Sequence, residues 1–159
     1  MRSVWSFLRK KKINNKAETE QSTGGGPMMV TLGNLFDSRP LPGYAMLEEG
    51  QVVGAVLYRL SGAECEVAAL YSLVENCGIG SALLRQVINN AAKCGCRRVW
   101  LVTTNDNTHA IRFYQRFGFT LKKVHINSMD AVRKLKAGLP ERGVDEIPLS
   151  HEFEFEYPV

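Results

Sequence analysis

A short glycine-rich segment near the middle of the chain has the composition of an anion-binding turn. Residues 75–84 read Glu-Asn-Cys-Gly-Ile-Gly-Ser-Ala-Leu-Leu and lead from a β-rich run into a run with helical spacing. At the start of a helix, several backbone N–H groups have no intrahelical partner and lie at the positive end of the helix dipole. The glycines let a bulky anion approach that backbone. The segment therefore predicts a phosphate or pyrophosphate site, with a ligand-free tight turn as the alternative.

The spacing within this segment differs from that of two other phosphate-binding loops. A Rossmann fingerprint needs a small third residue where Leu83 stands, and a P-loop needs a Gly-Lys-Ser/Thr ending that is absent here. The segment is therefore not the start of either motif.

A second group of residues whose side chains could take part in binding or catalysis lies further along the chain. Asn107 precedes a helix predicted over residues 108–117, on which Phe113, Tyr114 and Phe117 fall on one stripe at helical spacing. Tyr114 is either a core aromatic like its neighbours or a phenol placed for chemistry, because a buried hydroxyl needs a hydrogen-bond partner.

The elements around these two segments predict a mixed α/β fold. Period-two alternation bounded by turn residues predicts strands, and apolar residues at every third or fourth position predict helices. In chain order we expect strands at 44–48, 52–60 and 64–73, a helix from 79 to 91, a strand at 98–104, a helix at 108–117, a strand at 119–126, a short helix at 130–136 and a strand at 152–157. This order describes an antiparallel meander followed by strand–helix–strand–helix units.

Local signals add detail to this fold. Gly95 is expected to cap the first long helix at its carboxyl end, and Ser128 to cap the short helix at its amino end. In the last strand Glu152, Glu154 and Glu156 alternate with aromatic residues, which predicts one solvated face.

Basic residues are concentrated at the amino end of the chain. The protein has 159 residues with 20 Lys and Arg against 16 Asp and Glu, and the first 16 residues contain no acid. The rest carries a small net negative charge, which argues against nucleic-acid binding over the whole surface. We expect residues 1–26 to form a basic segment, a short helix with a solvated end, and a glycine-rich linker, and residues 27–159 to form the packed domain. Contact of the basic tip with a membrane or a nucleic acid is the alternative.

The apolar residues and the cysteines bear on location and on metal binding. No run of 18 apolar residues and no apolar core of a secretory signal occur, so we expect a cytoplasmic protein without a membrane span.

Four cysteines, Cys65, Cys77, Cys94 and Cys96, lack the spacing of a zinc site or a redox pair. We expect reduced, mostly buried thiols and no metal.

Two motifs at the right separation carry a family resemblance. The segment 75–80 is similar to the pattern Q/R-x-x-G-x-G/A, and residues 107–119 match N-x-x-A-x-x-x-Y-x-x-x-G-F at Asn107, Ala110, Tyr114, Gly118 and Phe119. Together they resemble the GCN5-related N-acetyltransferase (GNAT) superfamily over about residues 44–157. The resemblance implies an N-acetyltransferase that uses acetyl-CoA and an amine acceptor. The amine would belong to a small molecule or a protein and would attack the thioester directly.

The resemblance assigns roles to individual residues. Backbone amides of five loop residues would hold the pyrophosphate of coenzyme A: Cys77, Gly78, Ile79, Gly80 and Ser81. The strand end near Leu73 would pair with the pantetheine arm, Asn107 would hydrogen-bond that arm, and Tyr114 would face the sulfur. A phenol with a pKa of about 10 can protonate a departing thiolate whose thiol has a pKa of about 8.5, so Tyr114 is the expected general acid.

The base that takes the proton of the attacking amine is less well defined by the resemblance. Glu66, on the strand that leads to the glycine loop, is the expected base, either directly or through water. Its alternative is a solvent-facing carboxylate without a role in catalysis, and Glu64 on the same strand face is its rival.

Two departures from the family pattern bear on activity. Glu75 stands where the family has Gln or Arg, and no strand is predicted ahead of Tyr44. Both favour the alternative of a non-catalytic CoA-binding or interaction module. An incomplete sheet edge also invites pairing with a second chain, so we expect a homodimer.

Overall fold

A computed structural model describes residues 6–9, as backbone only, and residues 28–159. The chain divides into two compact units. In the described residues, the first unit contains residues 6–9, Asp37–Val99 and Val159, and the second contains Met28–Phe36 and Trp100–Pro158. The predicted boundary at residues 26 and 27 lies outside the described residues.

The secondary structure follows the predicted order closely. The strands are β1 (Ser6–Arg9), β2 (Met28–Thr31), β3 (Asn34–Asp37), β4 (Gly43–Glu48), β5 (Gln51–Ser61), β6 (Glu64–Ser72), β7 (Arg98–Thr104), β8 (Thr120–His125) and β9 (Glu152–Pro158). The helices are α1 (Ile79–Lys93), α2 (Thr108–Phe117) and α3 (Met129–Leu135), with a 3-10 turn at Val144–Glu146. The fold is mixed α/β, as predicted.

The first unit contains the predicted antiparallel meander. β4 pairs with β5 and β5 pairs with β6, with Ala55 opposite both Ala45 and Tyr71. Each pairing contains one register shift, in the first between Met46 and Leu47 on β4 and in the second on β5. The three predicted strands are confirmed with small changes at their ends.

Strand β1 shows that the expectation of a helical tip with no strand ahead of Tyr44 is wrong. β1 pairs antiparallel with β4, placing Ser6 opposite Leu47 and Arg9 opposite Tyr44. A short helix is marginal in water, whereas the edge of β4 offers unpaired backbone groups that a fourth strand satisfies. The remaining basic residues of the tip and the glycine linker lie outside the described residues.

Helix α1 packs against the meander through the predicted apolar face. Its buried residues are Ile79, Leu83, Leu84, Val87 and Ala91. The predicted cap is confirmed as a Schellman motif, because Gly95 has a φ of 76° and its N–H bonds the Ala92 carbonyl while the Cys96 N–H bonds the Ala91 carbonyl.

The second unit contains an aromatic cluster beside its strands. Its strand order is β7-β9-β8, with β8 antiparallel to β9, and β7 begins in the first unit. Helix α2 packs against β8. Six aromatic rings from α2, the residues after it and β9 contact one another in a chain of neighbours: Phe113, Tyr114, Phe117, Phe119, Phe155 and Tyr157.

The segment before β4 forms two strands that the sequence did not predict. β2 and β3 pair with each other, and α3 packs against β2. Met129 and Val132 of α3 are buried together with Leu149. Ser128 occupies the N-cap position of α3, but its side chain makes no cap hydrogen bond, since its backbone is in the helical region. The predicted side-chain cap is therefore wrong.

The predicted solvated face of β9 is also wrong at two positions. Glu152 and Glu154 are only 4% and 8% exposed. An oxygen of Glu152 accepts the Leu32 N–H at 3.3 Å, and Glu154 pairs with His125 at 3.0 Å. These glutamates are buried because the β2–β3 turn and β8 supply polar partners, which strand alternation cannot reveal.

Candidate active site

The glycine loop joins β6 to α1 and leaves its backbone amides available. Gly78, the N-cap residue, has φ 77° and ψ 4°, a left-handed conformation that glycine adopts without strain. The first hydrogen bond of the helix runs from the Ala82 N–H to the Gly78 carbonyl at 3.0 Å. The N–H groups of Ile79, Gly80 and Ser81 therefore have no intrahelical partner.

The charge around this turn suits an anion. The first turn of α1 contains no acidic residue, and among the described residues no side chain caps it. Cys77 and Gly78 are exposed, so the amides are close to solvent. Glu75 is exposed and lies before the N-cap rather than within the helix. The amides and the helix dipole together make a site of positive potential for a phosphate.

Leu73 lies at the end of the strand leading into the loop. Its N–H donates to the Val53 carbonyl at 2.9 Å, and its side chain is 69% exposed. The Leu73 N–H is therefore engaged within the sheet.

Gly54 on β5 controls how close α1 lies to the sheet, and sequence reasoning missed it. A Cβ atom at this position would lie 2.5 Å from Ile79 Cγ2 and 3.0 Å from the Tyr71 carbonyl oxygen. A glycine inside a strand is the signal that could have revealed it, because it often marks a close approach by another element. Gly54 thus determines where the first residue of α1 sits.

Glu66 is buried rather than solvent-facing. It is 3% exposed, and Arg59 lies directly opposite it on β5. Arg59 Nε donates to Glu66 Oε2 at 3.0 Å, and Arg59 Nη2 contacts the same oxygen. A buried carboxylate with an arginine partner is a charge-assisted pair, and no sequence motif indicated Arg59 as that partner.

Glu64, the rival of Glu66, has a different environment. Its side chain is 45% exposed, and both its oxygens are bound by Arg98, with Nε to Oε1 at 2.9 Å and Nη2 to Oε2 at 3.2 Å. Each of its oxygens therefore has a partner.

Tyr114 is surrounded by the aromatic cluster of the second unit. Its ring centroid lies 5.3 Å from that of Phe113, 5.8 Å from that of Phe119 and 6.4 Å from that of Phe155. Burial raises the pKa of the Tyr114 phenol to about 12. The phenol therefore keeps its proton at neutral pH, as a proton donor must.

Asn107 forms the start of the helix that carries Tyr114. Its Oδ1 accepts the Ala110 N–H at 3.1 Å, which makes Asn107 the N-cap of α2. Its Nδ2 group is the part of the side chain that the cap does not use.

Two polar residues before Asn107 anchor the segment that precedes β9, and sequence reasoning missed both. Asn105 Oδ1 accepts the N–H groups of Ser150 and His151, each at 2.9 Å. Asp106 is 6% exposed, and its Oδ2 accepts the Val144 N–H at 3.0 Å. Their adjacency to the recognised motif is the signal that could have drawn attention to them.

The structure assembles the expected residues in two local groups. In the first unit, Glu66 lies on β6, Leu73 directly follows that strand, and residues 77–81 follow in the turn and the first helical residues. In the second unit, Asn107 caps the helix that contains Tyr114.

All four cysteines are free, with Cys65 and Cys96 buried and Cys77 and Cys94 exposed, so half rather than most are buried. Burial and the nearby Cys96 raise the pKa of Cys65 to about 12. In residues 28–159, no group of three or more His, Cys, Asp or Glu is placed to hold a metal ion. No helix of the described part is long and apolar enough to cross a membrane.

A strand–turn–helix with open amides, followed by a helix whose Asn107 cap and Tyr114 phenol match the second motif, defines the class of an acyl-CoA-dependent acyltransferase. The model of the Acetyltransferase (GNAT) family matches residues 12–119. The chain belongs to this family.

The chain is similar to individual relatives and to solved structures. "Uncharacterized protein YdhI" of Bacillus subtilis (strain 168) is 39% identical over 132 residues, which cover 82% of each chain. "Spermine/spermidine N(1)-acetyltransferase" of the same strain is 44% identical over 43 residues, covering 26% of this chain and 28% of the relative. A GNAT family acetyltransferase from Elizabethkingia anophelis, solved with acetyl-CoA bound, has a TM-score of 0.75 at 14% identity and covers 98% of both chains. The protein is an acetyl-CoA-dependent N-acetyltransferase.

Proposed function

We propose that the protein moves an acetyl group from acetyl-CoA to a primary amine by direct attack of the amine on the thioester. The observation that carries this proposal is the Tyr114 phenol, a proton donor at neutral pH on a helix capped by Asn107. Direct transfer needs a neutral amine, a donor for the developing oxyanion and a proton for the departing thiolate.

The glycine loop would bind the pyrophosphate of acetyl-CoA. The available amides of residues 79–81 and the left-handed turn at Gly78 fit a phosphate group, and Cys77 continues the same backbone. Because the Leu73 N–H is engaged by Val53, the Leu73 carbonyl is the group that would pair with the pantetheine arm. The Nδ2 group of Asn107 would donate to a carbonyl of that arm.

Tyr114 would act as the general acid. Bound acetyl-CoA supplies the thioester, and the phenol gives its proton to the sulfur as the carbon–sulfur bond breaks. With a pKa of about 12, the phenol is a weaker acid than an ordinary thiol, whose pKa is about 8.5. The low dielectric that raises the pKa of the phenol also disfavours a bare thiolate. The phenol would therefore first donate a hydrogen bond to the sulfur and then transfer its proton as the thiolate leaves.

Glu66 would take the proton of the attacking amine, directly or through water. The burial of Glu66 supports this role, because a solvent-facing carboxylate without a role in catalysis, its alternative, would be exposed. Glu64 is the weaker candidate, since Arg98 occupies both of its oxygens.

A calorimetric titration with acetyl-CoA followed by a turnover assay tests the function. We expect saturable binding that is abolished by Gly80→Trp, because a bulky side chain at the loop obstructs the phosphate. We expect Tyr114→Phe to lower kcat by about 100-fold or more while the Kd for acetyl-CoA changes little. An equal loss of binding and rate would contradict the acid role.

The acceptor is an amine of a small molecule or a protein. The similarity to a relative named for spermine and spermidine, although it covers a quarter of the chain, puts polyamines first in an amine panel. Lysine-containing peptides and aromatic amines complete it.

The alternative expected from the sequence, a non-catalytic CoA-binding or interaction module, is an outcome that the same assays test. Glu75 is exposed beside the loop, and a carboxylate near a pyrophosphate weakens cofactor binding. Saturable binding of acetyl-CoA with no transfer to any panel amine would support this alternative. Stronger binding by Glu75→Gln would show that the carboxylate opposes the cofactor.

We further propose a homodimer in a reducing compartment such as the cytoplasm. Among the described residues, β8 has a strand partner on one side only, and Leu121 on it and Ile126 after it are 51% and 66% exposed. Light scattering at micromolar concentration tests the dimer, which a monomer mass would contradict. The free thiols support a reducing compartment, and fractionation of cells that express the protein tests it.

A further inference from the structure

The Arg59–Glu66 pair is built asymmetrically. The two residues lie opposite each other on β5 and β6. Both contacts from Arg59 go to one carboxylate oxygen, Oε2 of Glu66. Among the described residues, the second oxygen, Oε1, is buried and has no hydrogen-bond partner.

A second pair in the same unit shows what a symmetrical arrangement looks like. Arg98 binds both oxygens of Glu64, and that carboxylate is 45% exposed. Surface pairs of this kind contribute little and leave no polar atom unsatisfied. Both pairs join an arginine to a glutamate of β6, with Arg59 on β5 and Arg98 on β7, so the difference at Glu66 does not follow from residue type.

An unpartnered buried carboxylate oxygen is costly to a folded protein. Native structures keep few such atoms, because the carboxylate loses its hydration without gaining a donor. The Arg59 side chain is 38% exposed, so the pair lies close to the protein surface.

The strand position connects this oxygen to the chemistry. β6 carries Glu66 and continues through Leu73 into the glycine loop of the same unit. Glu66 is also the proposed base, and a base is useful only if one of its oxygens is open to the proton it receives.

We propose that Arg59 is a positioning residue: it holds Oε2 of Glu66 so that Oε1 accepts the N–H of the acceptor amine. The proposal rests on the proposed function. The acceptor arrives as an ammonium and donates one N–H to Oε1. That N–H bond breaks and an O–H bond forms on Oε1, directly or through one water, and the proton then leaves to solvent. The amine lone pair forms the N–C bond as the C–S bond breaks, and Tyr114 protonates the sulfur. The second proton on the acylated nitrogen then leaves to solvent to give the neutral amide, and the Tyr114 phenolate takes a proton from solvent.

The experiment compares Arg59→Met and Arg59→Lys with the matched control Arg98→Met. The probes are acetyl-CoA with spermidine, phenethylamine and a lysine peptide, using the amine with the highest turnover. We expect Arg59→Met to lower kcat/KM for the amine by about tenfold or more, with the Kd for acetyl-CoA within about twofold of the wild-type value. Arg98→Met should retain wild-type rates. The kcat/KM of Arg59→Lys should lie between those of the wild type and Arg59→Met, because lysine keeps the charge but lacks the planar guanidinium.

A double variant separates positioning from a purely structural effect. If Arg59 acts through Glu66, then Arg59→Met combined with Glu66→Gln is no slower than Glu66→Gln alone, because effects on one unit are not additive. Added guanidinium should also restore part of the rate of Arg59→Met and none of the rate of Glu66→Gln. Circular dichroism and acetyl-CoA binding identify any variant that fails to fold, in which case Arg59→Lys carries the test.

Several results would overturn the proposal. Multiplicative losses in the double variant, equal losses in Arg98→Met, or wild-type rates in Arg59→Met would each do so. Full activity of Glu66→Gln, with the Tyr114→Phe effect intact, would remove Arg59 and Glu66 from the mechanism and leave the acetyltransferase function standing. No turnover of any panel amine by the wild-type protein would reject the proposed function and this inference with it.

Discussion

The raised pKa of Tyr114 predicts a measurable loss of stability at alkaline pH. The phenol titrates near pH 10 in the unfolded chain and at about 12 in the folded protein. Because the folded pKa lies above the unfolded one, the stabilisation from the neutral phenol is complete below pH 10. It is lost as the pH rises through 10 toward 12, where the unfolded chain has released a proton that the folded protein still holds.

The magnitude follows from the same two pKa values. The difference between a pKa of 10 and one of about 12 corresponds to about 3 kcal/mol in full, and at pH 11 the loss from this group is about 1 kcal/mol. Tyr114→Phe removes the titrating hydroxyl but keeps the ring against Phe113 and Phe119. The free energy of unfolding should therefore fall by about 1 kcal/mol more in the wild-type protein than in the variant between pH 8 and pH 11.

Urea unfolding of both proteins at pH 8 and pH 11, followed by circular dichroism, measures this difference. Cys65 also has a raised pKa, but it is present in both proteins and cancels in the comparison. Absorbance at 295 nm gives an independent check, since one phenol of the folded wild-type protein should ionise near pH 12 and be absent from Tyr114→Phe. Parallel pH dependences, or a missing phenol that titrates near pH 10, would refute the reasoning that burial keeps Tyr114 protonated.

Substitutions at three further positions test the parts that hold the site. Gly54→Ala should destabilise the protein by about 1–3 kcal/mol and weaken acetyl-CoA binding, because the new methyl group displaces Ile79; unchanged urea unfolding and calorimetry would contradict this. Gly143→Ala should lower stability by about 1–3 kcal/mol, since its Cβ would clash with the Asp106 carboxylate that accepts the Val144 N–H; a wild-type unfolding curve would show that the segment moves freely. Asn107→Ala should lose about 1 kcal/mol with the cap, whereas Asn107→Asp should keep the stability and raise the KM for acetyl-CoA; equal KM values for Asn107→Asp and wild type would exclude the Nδ2 contact.

Much of the fold could be predicted from the sequence because its signals are local. The left-handed turn at Gly78 and the Schellman cap at Gly95 depend on residues a few positions apart, and glycine is the residue that such backbone needs. The apolar face of α1 and the alternation in β6 follow from the periods of helix and strand. The amino-terminal strand was missed because four residues carry little periodic signal and need the edge of β4 to form β1.

The candidate site was predictable only in part. The motif residues of the loop and of α2 could be located, since each motif lies within one local element. The environment of each group could not, because Arg59 reaches Glu66 across seven positions and Leu32 reaches Glu152 across 120. Alternation on a strand gives the face on which a glutamate lies, but not what covers that face.

The sequence by itself determined the order of the elements, the anion-binding turn and the identity of the phenol, because backbone geometry and short motifs depend on neighbours in the chain. The tertiary structure alone decided that the pKa of Tyr114 is raised, that Arg59 takes one oxygen of Glu66, and that Gly54 admits α1 close to the sheet. Burial and hydrogen-bond partners depend on which distant segments pack together, and that is set by the fold as a whole.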